Sequence, residues 1–315
     1  MPKKQAYTKP ALTISQQIDL LTSRGLAVPD KARAEHYLKY ISYYRLSIYA
    51  RSLQLDGSSA HDFQVGTTFD DILKRYTFDR ELRLLVLDAI ERIEVALRGT
   101  IAYEFSMVAG ANWYADSSLF KNSEYFSHAK EMERIGALCN RSKEVFMQHH
   151  KKTYDSLPPS WKLLEAMTVG EIEKLYVNMD VSDKRVRMAR SKVAQSFGVS
   201  HSLLDSWFRP VCLLRNICAH HGRLWNRKLI YRPDAPRNPH VQWVSHAGGD
   251  RQKIYMYLCV VQSLMTRVNP HSIWKNRLIS LMEKYPEIPR TVMGFHDDWQ
   301  DDDFWVVVPK KGGNV

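Results

Sequence analysis

The sequence predicts an all-α fold, and two observations carry that expectation. Gly (14) and Pro (13) are scarce in 315 residues, too few for the many tight turns of a β-sandwich or barrel. Ile72, Leu73, Tyr76, Leu82, Leu85, Val86, Ile90, Ile93, Leu97 and Ile101 recur at helical spacing, with no proline among them and Gly99 as the sole glycine. A helix of roughly 30 residues patterned this way is the spine of a bundle. The 8 Trp, 16 Tyr and 11 Phe supply bulk for a packed core.

Taken in order, residues 13–24 read as a short helix with Ile14, Ile18, Leu20 and Leu21 apolar and Gly25 as its stop. Asp30 opens a second helical stretch read as running to about residue 51, with Tyr37, Tyr40, Ile41, Tyr44 and Tyr49 along it. Residues 55–64, with Gly57, Ser58 and Ser59, form a loop. Thr67 and Thr68 ahead of Asp70 and Asp71 give the spine an N-cap and an acidic first turn. Residues 109–127 are loop-like, residues 127–151 helical, and Pro158-Pro159 breaks the pattern before residues 161–167 resume it. Thr168, Val169, Gly170 and Glu171 turn into a helix that ends near Met179. Residues 183–197 are a short helix with a basic run, Lys184, Arg185, Arg187, Arg190 and Lys192. Residues 200–221 form a second long amphipathic helix, apolar at Leu203, Leu204, Trp207, Phe208, Val211 and Leu214, which Pro210 is expected to kink. Residues 232–249 are an irregular excursion. Two helices follow at 251–267 and 271–284, then an acidic tail at 296–303 that ends in Lys310, Lys311, Gly312 and Gly313.

Forty-five Lys and Arg against 34 Asp and Glu give a formal charge of +11, which calls for a polyanionic partner, nucleic acid or a membrane surface. A content of 44% hydrophobic and 25% charged residues excludes a disordered, low-complexity or collagen-like chain. Met1-Pro2-Lys3-Lys4-Gln5 runs into polar sequence without the apolar core of a secretory signal. No stretch approaches the roughly 18–20 apolar residues of a membrane span, so a cytoplasmic protein without a membrane partner is expected. Cys139, Cys212, Cys218 and Cys259 are scattered and read as reduced, buried thiols. Cys212, Cys218 and His220 lie close together, but no CxxC pair exists and the two cysteines project from opposite sides of a helix. No metal site is expected.

The densest polar segment is Arg215-Asn216-Ile217-Cys218-Ala219-His220-His221-Gly222-Arg223-Leu224-Trp225-Asn226-Arg227. It closes the long amphipathic helix, with Gly222 as the expected left-handed residue past its end. Asn216 and His220, four apart, share a face, and the long Arg215 side chain can converge with them. Cleaving RNA without a metal needs a proton acceptor for the attacking 2′-OH, a proton for the departing 5′-oxygen, and a fixed cation for the phosphorane charge. Histidine suits the proton steps and arginine the charge. The negative end of the helix dipole favours an imidazolium there, which fits the acid role. As a bare spacing the pair is weak, since Arg290 and His296 make a similar match by chance. A histidine at a helix end also serves as an ordinary cap, and both readings stand on pattern alone.

The wider pattern resembles the Abi-like proteins, the AbiD/AbiF group of bacterial abortive-infection proteins. Besides the segment from Arg215 to Arg227, the resemblance rests on Lys9-Pro10, Tyr40-Ile41-Ser42-Tyr43-Tyr44-Arg45-Leu46 and Phe78-Asp79-Arg80-Glu81-Leu82-Arg83. It also rests on the run from Ile90 through Glu94 to Arg98 and on residues 161–176 with Glu165 and Glu171, so it spans about 9–280. That group is similar to the HEPN superfamily, whose ribonucleases use an Arg-x(4–6)-His motif with a polar residue after the Arg. The resemblance therefore implies Arg215, Asn216 and His220 as catalytic, with His221 an alternative to His220. The expected division is an N-terminal helical segment over 1–62 packed on the bundle, a HEPN-like helical domain over 63–289 and an acidic tail over 290–315, which lies outside the resemblance. The resemblance further implies a toxin-like endoribonuclease of phage defence that needs no cofactor, and a homodimer whose two motifs face each other. The products would be a 2′,3′-cyclic phosphate and a 5′-OH. A restraining antitoxin, protein or small RNA, or a phage trigger follows from the same resemblance.

Other residues have two readings each. Arg98, placed at the end of the spine, pairs with Glu94 or lines the site. Arg223, Asn226 and Arg227 hold RNA phosphates or merely cap the helix end. The 184–192 run reads as a solvated face rather than an RNA track, and the tyrosines from Tyr37 to Tyr49 as core packing rather than a base-stacking platform. A non-catalytic RNA-binding module and a protein-interaction module are the rival functions.

Overall fold

A computed structural model of the chain describes residues 6, 8–121, 123–238, 241–245 and 249–306. Its described residues form twelve α-helices and no β-strand, the all-α fold expected. Among them no helix is long and apolar enough to cross a membrane. The chain divides into two compact units, Met1–Glu81 and Leu82–Val315.

The first unit begins with α1 (Ile14–Ser23), whose start is fixed by reciprocal bonds between Thr13 and Gln16. The single helix expected after Asp30 is two, α2 (Lys31–Ile41) and α3 (Tyr43–Ala50). The break falls at Ser42, which takes φ 80 and turns its hydroxyl to accept from the Arg45 N–H. α2 buries Ala34 and Leu38, and α3 buries Leu46, Tyr49 and Ala50. Tyr49 therefore belongs to the core, where its hydroxyl donates to the fully buried Asp79 at 2.6 Å. Tyr40 and Tyr44 do not. They are 69% and 82% exposed, which corrects the expectation that the tyrosines pack inside. Each lies two positions from a core leucine, Leu38 or Leu46, on the opposite side of its helix.

The spine, α4 (Phe69–Ala109), is longer than expected at 41 residues, because nothing interrupts its pattern until Gly110 at φ 87. Thr68 and Asp71 cap it as anticipated. In the second unit α5 (His128–Arg141) and α6 (Val145–Thr153) replace one expected helix, because Ser142 and Glu144 are extended. α7 (Ser160–Ala166), α8 (Val169–Val177), α9 (Lys184–Ser196) and α10 (His201–Ala219) follow, and α10 runs unbroken through Pro210.

α11 (Ile254–Val268) is buried at every position from Ile254 to Met265, which makes it the central element of this unit. α12 (Trp274–Lys284) is tied to α4 by its Trp274 indole, which donates to the Leu85 carbonyl at 2.7 Å. The acidic C-terminal stretch folds onto this core as far as Val306. Met293, Phe295, Trp299, Phe304 and Trp305 are buried, and the Trp305 indole donates to the Tyr255 hydroxyl at 3.1 Å. Lys310 and Lys311 lie outside the described residues.

Of the basic run on α9, Arg185 pairs with Asp183 and Asp116, Arg190 with Asp205, and Lys192 lies 4.0 Å from Glu104. Lys184, Arg187 and Lys192 are exposed and Arg185 partly so, the solvated face expected, whereas Arg190 is buried, which corrects that reading for one residue.

Candidate functional site

Packing against α8, α9 and α11 fixes the axis of α10. Leu203, Leu204, Trp207, Phe208, Val211, Leu214, Ile217 and Cys218 are its buried residues. Its N-terminal half is pinned by charge. Asp205 pairs with Arg190, whose guanidinium sits 4.5 Å from the centre of the Tyr176 ring, and Arg209 holds Glu173 at 2.9 Å. Burial pushes the Tyr176 phenol up to about 12, so it stays neutral beneath the guanidinium.

At the other end, Arg215 Nη1 donates to Asn216 Oδ1 at 3.3 Å, and Arg215 Nε lies 3.6 Å from Glu94 Oε2 on α4. Glu94 also holds Arg98 at 3.0 Å, while Arg98 donates to the Glu165 carbonyl at 3.0 Å. One carboxylate thus bridges two guanidiniums. Arg98 and Glu94 side chains are 12% and 15% exposed, whereas Arg215 is 33% exposed and is the group open to a ligand. Arg98 lies well inside α4 rather than at its end, because α4 continues to Ala109. A groove of about 420 Å³ opens here between α4 and α10, lined by Leu87, Glu91, Glu94, Val95, Arg98, Arg215 and Ala219. It holds as many carboxylates as guanidiniums between mostly apolar walls, so its charge is balanced and it is not a basic groove.

His220 caps α10. Its N–H bonds the Asn216 carbonyl at 3.0 Å and its imidazole is exposed. The left-handed residue is His221, at φ 57, and not Gly222 as expected. His221 N–H bonds the Cys218 carbonyl at 3.1 Å and Gly222 N–H bonds the Ile217 carbonyl at 2.7 Å, the pair of bonds of a Schellman end. Gly222 serves close approach instead, since a Cβ there would lie 3.1 Å from Ile217 Cγ2 and 3.2 Å from its carbonyl oxygen. Beyond it Leu224 and Trp225 are buried and the Trp225 indole reaches the Pro289 carbonyl at 3.4 Å. Arg223 and Arg227 are half-buried, with Arg227 donating to the Arg223 carbonyl at 3.4 Å, and Asn226 takes φ 47. This return segment is anchored, and its polar residues are partly spent on closing the helix end.

The structure thus joins Arg215 and Asn216 to Glu94 and Arg98, and sets His220 at the helix end, outside the residues that line the groove. Glu91 was missed, although its spacing from Leu87, Glu94, Val95 and Arg98 marks one face of α4. Cys212 and Cys218 are buried, and burial drives the Cys212 thiol far above its ordinary range. Among the described residues no group of three or more His, Cys, Asp or Glu side chains is placed to hold a metal ion.

A family model described as Abi-like protein matches residues 36–226. The match runs from the middle of α2 through α10 and reaches Asn226, a narrower span than residues 9–280. No curated protein and no solved structure matches the chain.

Proposed function

The chain belongs to the Abi-like protein family, and on that premise we propose that it is a HEPN-type endoribonuclease acting in the cytoplasm. The family ties the protein to abortive infection, a phage-defence response. The observation that carries the finer reading is the α10 end. There an arginine oriented by Glu94 and Asn216 and still a third exposed lies five residues before an exposed histidine.

In this reading a histidine accepts the 2′-OH proton as the 2′-oxygen attacks the adjacent phosphorus. Arg215 stabilises the phosphorane, and a second histidine protonates the 5′-oxygen as the P–O5′ bond breaks. The products are a 2′,3′-cyclic phosphate and a 5′-hydroxyl, and no metal enters the steps. One motif offers His220 for one of the two proton transfers, so a homodimer that faces two α10 ends together supplies the other. Leu84 and Val95, 53% and 60% exposed and three turns apart on α4, support this, because a second copy can cover them. An antitoxin or a phage-derived trigger would act by covering or assembling the same groove.

The test incubates the protein with mixed RNA in EDTA beside Arg215→Ala and His220→Ala. Cleavage that falls at least about 100-fold in both variants, with cyclic-phosphate ends on the products, supports the enzyme. The rival is a module that binds RNA at the α10 end, through Arg215 and the half-buried Arg223 and Arg227, without cutting it. Tight binding with no cleavage in any variant identifies that rival.

A further inference from the structure

We propose that the exposed face of α2 and α3 is a stacking platform for single-stranded nucleic acid. It stands on its own observations and does not depend on cleavage at the α10 end.

The polyanion-attracting charge of the chain has to lie somewhere, and the groove beside Arg215 is balanced. Between residues 31 and 51 stand Lys31, Arg33, Lys39, Arg45 and Arg51 with Glu35 as the one carboxylate. Among these cations lie aromatic rings, of which His36, Tyr40 and Tyr44 are exposed and Tyr37 is half-buried. The His36 and Tyr40 ring centres are 4.9 Å apart, and the His36 and Tyr37 centres 5.6 Å apart in an edge-on arrangement. Lys39 Nζ lies 5.4 Å from the Tyr40 ring centre, and the Arg33 guanidinium 5.5 Å from that of Tyr37. Arg33 also meets Asp70 at 3.1 Å, in a half-exposed pair that a phosphate can compete with. Tyr44, at the start of α3, is 82% exposed.

A single exposed tyrosine is unremarkable. A mostly exposed tyrosine ring against a histidine, cations at their border, and a second exposed tyrosine four positions on together match the recurrent pattern of sites that bind unpaired bases. The rings offer faces to bases of any sequence, and the cations neutralise the phosphates between them. A protein interface would also use tyrosine and arginine but is depleted in lysine, and Lys31 and Lys39 stand among these rings. Here Ile48, 38% exposed, is the aliphatic member of this face.

The experiment measures anisotropy of a labelled oligouridine of about 12 nucleotides, within the span such platforms cover. It is done in a His220→Ala background, so that the outcome is independent of cleavage. Tyr40→Ala with Tyr44→Ala is expected to weaken binding by about 10- to 100-fold, while Tyr40→Phe with Tyr44→Phe retains it because the ring stacks and the hydroxyl does not. Far-UV circular dichroism and the thermal midpoint verify that each variant is folded. Binding of a labelled RNA duplex, whose bases are already stacked, should change little. Equal affinity in the alanine pair overturns the proposal. So does equal loss in the phenylalanine pair, or an alanine pair that dissociates a homodimer without changing oligouridine affinity.

Discussion

The two ends of α10 use the same chemical parts for opposite purposes. Near the N-terminal end Arg190 is 4% exposed, faces the Tyr176 ring and is committed to Asp205. At the C-terminal end Arg215 is a third exposed, and its carboxylate, Glu94, is shared with Arg98. In the sequence both are arginines within helical segments. Burial and the number of claims on the partner carboxylate separate a charge that holds the bundle from one left available to a ligand. A buried pair is costly to break because the survivor stays desolvated, whereas a shared and partly hydrated pair yields more easily.

The largest expected effect tests that contrast directly. Arg190→Ala strands Asp205 and should destabilise the protein by about 3 kcal/mol, toward the lower end for a buried pair because Asp205 is itself partly hydrated. Arg215→Ala should cost under about 1 kcal/mol. Urea unfolding of the two variants reads both numbers, and similar losses would dissolve the distinction. The double variant Arg190→Met with Asp205→Leu sharpens it, since replacing both charges by apolar groups should recover most of the stability.

The same contrast shows what was legible in the sequence. The helices were, because the 3.6-residue period of the apolar positions survives in any environment. The breaks at Ser42 and Ser142 were not, because neither Pro nor Gly marks them; at each, the serine hydroxyl accepts from a backbone N–H two or three residues on. The outward placement of Tyr40 and Tyr44 was written in their offset from Leu38 and Leu46, but clustering suggested a core. Arg215, Asn216 and His220 were legible as a motif. The division of Glu94 between Arg98 and Arg215 was not, since it joins helices more than a hundred positions apart in the chain, and no local pattern encodes that.

Glu94→Gln probes the shared carboxylate itself. It keeps the shape but leaves two half-buried guanidiniums without their counter-charge, so a loss of about 2 kcal/mol is expected by thermal or urea unfolding. If Glu94 orients Arg215, cleavage by this variant should fall about 10-fold at saturating RNA with little change in RNA affinity. A loss confined to affinity would instead assign Glu94 to binding. Gly222→Ala is smaller. Its Cβ would press on Ile217 Cγ2 and the Ile217 carbonyl at 3.1 and 3.2 Å, and relieving that contact should cost about 1–2 kcal/mol.

The smallest expected effect concerns the neighbouring histidines, which composition alone could not tell apart. His221 holds the left-handed conformation that helix ends usually assign to glycine, at a cost of about 1 kcal/mol for a residue with a Cβ. His220 adopts φ −95 and bears no such strain. His221→Gly should therefore stabilise the protein by up to about 1 kcal/mol, offset in part by the freer unfolded chain. If His221 serves only to end the helix, this variant keeps full cleavage and gains stability, while His220→Ala loses cleavage and keeps stability. If His221→Gly gains stability but loses cleavage as His220→Ala does, then the strain is retained for function, and the five-residue spacing from Arg215 is the operative one.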